Sequence, residues 1–370
     1  MRVFLDYHST TPVDPKVLNA MIPYFTMIYG NPASLHVMGI EARDAIDNAR
    51  KQIAKIINAK SDNIFFTNSA TEANNIVLKS FDHEKAIIIT NSEHSSILEC
   101  SKHMNPDLLI HKIKIEKDGT LSINKLRKAI ITYSPALISI IAANNEIGTI
   151  HDLYTIGNLC KKYNVLFHTD ATQAIGKINI DVGEMNIFAL SMSGHKIYGP
   201  KGVGALYVRD ENKLSPLIHG GYQNTFISGT QNVPNIVGIG KACELLIENK
   251  EENVKIAKLR DYLLDLLMIG LDNVSINGTM KNRLSSNLNI TIANVPAKAL
   301  VMGLDDVIIS SGSACKSGEP KPSYIIKAIG SKYPEGAIRI SLGRWTTKKE
   351  IEYAANSIIA ASIAIRRGNE

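Results

Sequence analysis

A lysine stands in the run Ser193-Gly194-His195-Lys196-Ile197-Tyr198-Gly199-Pro200, directly after an apolar stretch of strand length. At the rim of a buried sheet, where α/β proteins present ligand-binding groups, a lysine can form a Schiff base with an aldehyde if its surroundings depress its pKa. By itself it reads as a surface lysine in a turn; its companions change that. Asp170 and Gln173, in His168-Thr169-Asp170-Ala171-Thr172-Gln173, also follow an apolar stretch. Asp170 either caps a helix or keeps a pyridine-type ring nitrogen protonated so that the ring can accept electrons. Gln173, three residues on, lies on the same face of the turn and can donate to a phenolic oxygen of that ring.

The segment Phe66-Thr67-Asn68-Ser69-Ala70-Thr71-Glu72 turns from an apolar strand end into a helix. Backbone N–H groups at the helix start, with the Thr71 hydroxyl, form a site for a phosphate dianion; plain capping would explain Ser69 or Thr71 equally. His94, in Asn91-Ser92-Glu93-His94-Ser95, could stack on a cofactor ring and exchange protons. Asn145, in Asn144-Asn145-Glu146-Ile147-Gly148, supplies an amide to cofactor or substrate. Five strand ends thus carry polar residues to one sheet edge, describing a floor, an anchor and a phosphate cradle for one aromatic cofactor, pyridoxal phosphate. No G-x-G-x-x-G follows a strand and no G-x-x-x-x-G-K-[ST] occurs, so dinucleotide and P-loop readings are weak.

Two further groups lie towards the C-terminus. Cys315 sits in Ser310-Ser311-Gly312-Ser313-Ala314-Cys315-Lys316-Ser317-Gly318, a small-residue setting that predicts a mobile, partly exposed thiol, with Lys316 favouring its thiolate. Arg339 interrupts the apolar run Ile338 to Leu342; its planar fork suits a substrate carboxylate, or a structural salt bridge.

These residues need elements to position them. Lys85–Thr90, Ala136–Asn144, Val165–Ala171, Ile187–Ser193 and Val203–Arg209 read as buried strands. Between residues 41 and 57, Ile46, Ala49, Ile53 and Ile56 mark a one-faced helix. Near-continuous apolar strands alternating with helices predict an α/β fold with a sheet covered on both faces. From Asn232 to about Gly270 the pattern is long and helical, broken only by Gly238, Gly240 and a charged stretch from Glu248 to Lys258, a length that commonly bridges two domains, and a last helix runs from Thr347 to about Ile365. The N-terminal Thr10-Thr11-Pro12 reads as extended chain joining the second domain.

With 370 residues, 45% hydrophobic and 21% charged, the composition is that of a globular protein of two domains. The net charge of +6 is spread along the chain, without the basic stripe a nucleic-acid surface needs. The N-terminus reaches Asp6 too early for a secretory apolar region, and no apolar run approaches the roughly 20 residues that cross a bilayer. A cytoplasmic protein without membrane or nucleic-acid partners is expected. The other cysteines, Cys100, Cys160 and Cys243, are scattered without a C-x-x-C pair, which predicts buried free thiols and no intrinsic metal site.

The motifs Ser-Gly-His-Lys-Ile-Tyr-Gly-Pro, His-Thr-Asp-Ala-Thr-Gln, Asn-Asn-Glu-Ile-Gly, Asp6-Tyr7 with Thr10-Thr11-Pro12, Gly30-Asn31-Pro32-Ala33-Ser34 and Ser-Ser-Gly-Ser-Ala-Cys resemble cysteine desulfurases of the NifS/IscS type, class-V aminotransferase relatives, and along the chain they stand in family order from Leu5 to about Thr347. The resemblance implies the fold-type I pyridoxal-phosphate transferase architecture: a large domain (13–250) with a mostly parallel seven-stranded sheet flanked by helices, and a smaller α+β domain (1–12 and 251–370) carrying the cysteine loop. It implies a homodimer in which Lys196 holds the cofactor, His94 stacks on it, Asp170 pairs with its nitrogen and Gln173 meets its phenolic oxygen. Ala70, Thr71, Ser193 and His195 would hold the phosphate, joined by Thr230 of the other subunit. Asn145 would contact cofactor or substrate, and Arg339 the substrate carboxylate. The implied reaction takes L-cysteine to L-alanine with sulfur carried as a persulfide on Cys315. The sulfur passes to an acceptor such as an iron–sulfur scaffold, where Cys315 could serve as a transient cluster ligand, or to tRNA thiolation. Relatives carry arginine where Ile227 stands, in a shortened loop at 219–227. A selenocysteine lyase or related lyase, or a degenerate assembly partner, would share the scaffold.

Overall fold

The computed structural model describes residues 1–221, 225–249, 251–311 and 322–368. Among these, the strands are β1 (Val3–Phe4), β2 (Ile64–Thr67), β3 (Ala86–Thr90), β4 (Leu109–Ile113), β5 (Leu137–Ser139), β6 (Leu166–Asp170), β7 (Ala189–Ser193), β8 (Gly204–Val208), β9 (Val274–Ile276), β10 (Asn287–Ile292), β11 (Val307–Ile308) and β12 (Ala337–Ser341). Seven form one sheet in the order β2-β8-β7-β6-β5-β3-β4. Strands β4, β3, β5, β6 and β7 are parallel, and β8 runs antiparallel to both β7 and β2. The C-terminal ends of β2, β3, β5, β6 and β7 therefore open on the same edge.

Every residue of β3, β7 and β8 is buried, because helices cover both faces. Alternate side chains leave the sheet on opposite sides. Ile88, Ile138 and Leu190 pack with Ile46, Ile53 and Ile239 on one face, while Ile87, Ile89 and Leu137 pack with Ile76, Val77 and Ile97 on the other. Burying each such side chain contributes about 1.5–3 kcal/mol. Edge strand β4, with Leu109 and Lys112 exposed, has a mixed pattern that hides it in the sequence.

A further cluster gathers Val3 and Leu5 with Leu263, Leu267, Leu288, Ile290, Ile338 and Ile358. It packs the antiparallel sheet β12-β10-β9 against the helices Glu252–Gly270 and Lys348–Gly368. The long helix expected from Asn232 to Gly270 is two helices, Val233–Glu248 and Glu252–Gly270. Asn249 ends the first by donating from its backbone and its side chain to the Leu245 carbonyl, the competition with helical bonding that favours Asn at helix ends. The last helix begins at Lys348 because Thr347 and Glu350 exchange backbone and side-chain hydrogen bonds across its first turn. Among the described residues no helix is long and apolar enough to cross a membrane.

Candidate active site

The five co-directed strand ends bound one cavity of about 210 Å³. Ala70 and Thr71 reach it after β2, His94 after β3, and Asn145 from the turn beyond β5. Asp170 and Gln173 reach it from β6, and Ser193, His195 and Lys196 from β7. Ser69, Ile141 and Thr172 complete the lining.

Lys196 Nζ donates to two backbone carbonyls of the N-terminal segment, His8 O at 2.7 Å and Ser9 O at 2.6 Å. That segment is laced to the lysine turn: Thr11 donates to the His195 carbonyl from both N–H and hydroxyl, and Tyr198 N–H donates to Thr11 Oγ1. Tyr198 lies at φ +65°, a left-handed conformation these bonds hold in place. Burial first, and the nearby Arg339 charge second, bring the Lys196 ammonium down to about 8, against the opposing pull of Asp6 and Asp170. Burial, then Lys196 and Lys201, lower His195 to about 4, so its imidazole is neutral at pH 7 and can only share hydrogen bonds there.

Asp170 is buried, and both carboxylate oxygens are engaged: Oδ1 accepts from Thr172 N–H at 3.0 Å and Oδ2 from Asn74 Nδ2 at 2.8 Å. Asn74 Nδ2 also donates to Ser96 Oγ at 2.8 Å, and Ser96 Oγ lies 2.9 Å from His94 Nδ1. The backbone N–H of Ser96 donates to the same nitrogen at 3.2 Å. A backbone N–H only donates, so His94 Nδ1 is an acceptor and the neutral ring carries its proton on Nε2. One chain of hydrogen bonds thus joins the carboxylate floor to the imidazole.

The helix Ala70–Ser80 starts at the cavity. Ser69 caps it by accepting from Glu72 N–H, and its carbonyl takes Ala73 N–H. The earlier N–H groups, on Ala70 and Thr71, belong to residues lining the cavity, at the positive end of the helix dipole where an anion is favoured. The turn holding Asn145 is built by Asn144, whose Oδ1 accepts from Glu146 and Ile147 N–H and whose Nδ2 donates to the Ser92 carbonyl. Gly148 closes it at φ +71°, where a Cβ would lie 2.5 Å from Asn287 Oδ1. Only glycine fits there. Asn145 Oδ1 and Thr172 Oγ1 are buried without a hydrogen-bond partner, a cost that a bound polar group would relieve.

Among the described residues, two expected ones, Arg339 and Thr230, are not part of this lining. Arg339 donates to Asp6 Oδ1 and Ser9 Oγ at 2.8 Å each and to the Asn145 carbonyl at 3.1 Å. The salt bridge that competed with the carboxylate reading is therefore formed. Thr230 is exposed. Cys315 lies outside the described residues, as do Tyr222, Gln223 and Asn224 of the 219–227 loop. Ile227 is partly buried against the cluster containing Phe226, a packing role. Gln173 uses its Nε2 on the His8 carbonyl and its Oε1 on Lys177. Sequence reasoning passed over Asn74, Ser96 and Lys177. Asn74 stands four residues after Ala70 and Lys177 four after Gln173, spacings that a same-face reading would have flagged.

A carboxylate, an amine with a lowered pKa, an imidazole and a helix start thus border one space. The family model described as aminotransferase class-V matches residues 3–354. The chain is 41% identical to the cysteine desulfurase IscS of Rickettsia prowazekii (strain Madrid E), covering 99% of this chain and 92% of the relative. It is 44% identical to a mitochondrial cysteine desulfurase of Arabidopsis thaliana, covering 95% and 80%. Among solved structures, a NifS-like protein superposes with TM-score 0.90 at 36% identity, over 97% of this chain and 99% of that one. A structure of SspA in complex with cysteine superposes with TM-score 0.81 at 34% identity, over 94% and 100%. The chain belongs to the class-V aminotransferase family, on its cysteine desulfurase branch of the NifS/IscS type.

Proposed function

We propose that this chain is a pyridoxal-phosphate-dependent cysteine desulfurase that converts L-cysteine to L-alanine and carries the sulfur as a persulfide on Cys315. The observation that carries this reading is the single cavity shared by Lys196, Asp170, His94 and the start of the helix Ala70–Ser80. The donor set fits the cofactor: an amine for its aldehyde, a carboxylate for its ring nitrogen, helix N–H groups with Ser193 and His195 for its phosphate, and Gln173 for its phenolic oxygen. The unpartnered Asn145 Oδ1 and Thr172 Oγ1 add polar atoms that the cofactor or substrate would engage. When bound, pyridoxal phosphate supplies an electron sink for the substrate Cα.

The chain's own residues then divide the work. Lys196 Nζ would hold the cofactor and, once released by the substrate amine, would be the base for the proton on substrate Cα. Asp170, fixed by Asn74 and Thr172, would keep the ring nitrogen protonated. His94, which lines the cavity, would stack on the ring. Arg339 exchanges Asp6 and Ser9 for the substrate carboxylate. Cys100, Cys160 and Cys243 are buried, and burial pushes the Cys160 and Cys243 thiols up to about 12. They offer no thiolate at neutral pH, which leaves Cys315. In the transfer an S–S bond forms on Cys315 and the substrate Cβ–S bond breaks. Cβ takes up a proton, so that cysteine and thiol become alanine and persulfide.

A homodimer is proposed as the working unit. Phe25, Met27, Tyr29, Leu35 and Val37 are all more than half exposed, an apolar face of the kind that a partner covers, and Thr230 would reach the partner's phosphate site. The units assigned are 13–250 and 1–12 with 251–370, and the setting is the cytoplasm with an iron–sulfur scaffold or a tRNA-thiolation protein as acceptor. Mass spectrometry of Cys315 after incubation with L-cysteine tests the reading. A gain of one sulfur on that residue is expected; alanine release that persists in Cys315→Ala would overturn the sulfur relay.

A further inference from the structure

Behind Lys196 a second, smaller space of about 30 Å³ separates the lysine turn from the helix Glu252–Gly270, and Lys177 lines it together with His8, Tyr198 and Glu252. Lys177 has no place in the scheme above. Its Nζ donates to Gln173 Oε1 at 3.1 Å, while Gln173 Nε2 donates to the His8 carbonyl at 3.0 Å. The same carbonyl accepts from Lys196 Nζ at 2.7 Å. Gln173 is buried and also lines the main cavity.

The orientation of an amide is set by its partners. A charged ammonium only donates and the His8 carbonyl only accepts, so the Gln173 oxygen faces Lys177 and its NH2 group faces His8. One N–H serves the His8 carbonyl, and the second is left for a ligand. Turned over, the amide would aim its oxygen at the place where the resemblance puts an anionic phenolic oxygen, and the two would repel. A buried ammonium is costly, and this one meets an amide oxygen. Burial and then the Lys196 charge bring Lys177 down to about 7, with Glu252 pulling the other way. Tyr7, His8 and Tyr198 are the other titratable groups facing this space.

We propose that Lys177 is a positioning residue that locks the Gln173 amide with its N–H donor towards the cofactor cavity. The proposal rests on the reading of Gln173 as a donor to the cofactor's phenolic oxygen. A donor there stabilises the more anionic form of that oxygen, so its loss raises the pH midpoint of the visible absorption band of the holoprotein.

The test is a spectrophotometric pH titration, without substrate, of the protein loaded with pyridoxal phosphate. Q173A and K177M are each expected to raise the midpoint by about one unit. K177R, which keeps a donor, should stay close to wild type, and the double variant should move no further than Q173A alone. If K177M does not fold, K177Q is read in its place. A midpoint unchanged in the Lys177 variant while Q173A shifts overturns the proposal and leaves the Gln173 reading intact. An equal Lys177 effect with and without Gln173 also overturns it, since the lysine would then act by charge alone. No shift in Q173A removes the Gln173 reading and the proposal with it. No visible band in wild type removes the cofactor reading itself.

Discussion

Asn74 Nδ2 donates to Asp170 Oδ2 at 2.8 Å, tying the carboxylate floor of the cavity to the helix that opens its anion cradle. The same nitrogen reaches Ser96 Oγ, and through it His94. Asn74 is fully buried, so no water replaces it readily. Asn74→Ala leaves Asp170 with the Thr172 N–H and frees Ser96. A hydrogen bond to a charged group is worth about 1.5–3 kcal/mol, and part of that is lost from the cofactor complex once the carboxylate can turn away. Titration of the apoprotein with pyridoxal phosphate should show affinity reduced by about tenfold or more. Unchanged affinity would show that Asn74 does not position Asp170 for the cofactor.

The amine of Lys196 must be unprotonated to attack an aldehyde, and its midpoint is held near 8 by burial and by Arg339. Capture of pyridoxal phosphate by the apoprotein should therefore accelerate as pH rises from 6 to 9. Arg339→Gln removes a cation that depresses the lysine and leaves Asp6, which raises it, less compensated. Both effects have one sign. The rate profile of that variant should move to higher pH, which stopped-flow absorbance at several pH values measures directly. A shift to lower pH would contradict the electrostatic account.

Residues at strand ends were legible because buried strands write near-continuous apolar runs, and each run here is closed by a polar residue, Thr67, Thr90, Asp170 or Ser193, at or a few residues before the groups that line the cavity. Strand β4 was not, since an edge strand alternates without a dominant face and carries His111 and Lys112. The break at Asn249 falls in the charged stretch from Glu248 to Lys258; the sequence shows that interruption, but not that Asn249 ends the helix by bonding to the Leu245 carbonyl. The site divides likewise. Groups facing the cavity stand in motifs, whereas Asn74, Ser96 and Lys177 act on those groups from behind, and their chemistry appears only when distances are known. Arg339 kept two readings in the sequence, and its bond to Asp6 is a tertiary fact that no local pattern encodes.

Glu93, next to His94, is fully buried, and burial, only partly offset by hydrogen bonds from Thr90 and Ile141, raises its carboxyl to about 8. Its folded-state pKa exceeds its unfolded value, so the folded chain binds more protons between about 4.5 and 8, and stability falls as pH rises through that window. Glu93→Gln mimics the protonated form and removes this dependence. Thermal unfolding should show wild type losing ground to the variant between pH 5 and pH 8. Parallel curves would mean that Glu93 is ionised in the folded protein.

Ser323 and Tyr324, eight and nine residues after Cys315, are tied to the rim of the cavity from the far side of the cysteine segment. Ser323 Oγ donates to the buried Glu146 carboxylate, and Tyr324 OH donates to the Glu93 carbonyl at 2.6 Å. Glu146 adjoins Asn145 and Glu93 adjoins His94, so Ser323 and Tyr324 are anchored beside two residues that line the site. An extended chain spans about 3.3–3.6 Å per residue, and fixing this root bounds how far Cys315 can stray from the substrate. Tyr324→Phe removes one anchor while keeping the ring. Cofactor absorbance and the spectral change on adding L-cysteine should be preserved, while the rate of persulfide formation on Cys315 falls about threefold to tenfold for one hydrogen bond of about 1 kcal/mol. Quenched-flow mass spectrometry separates these steps. Equal loss of substrate binding and persulfide formation would show instead that Tyr324 supports the pocket as a whole.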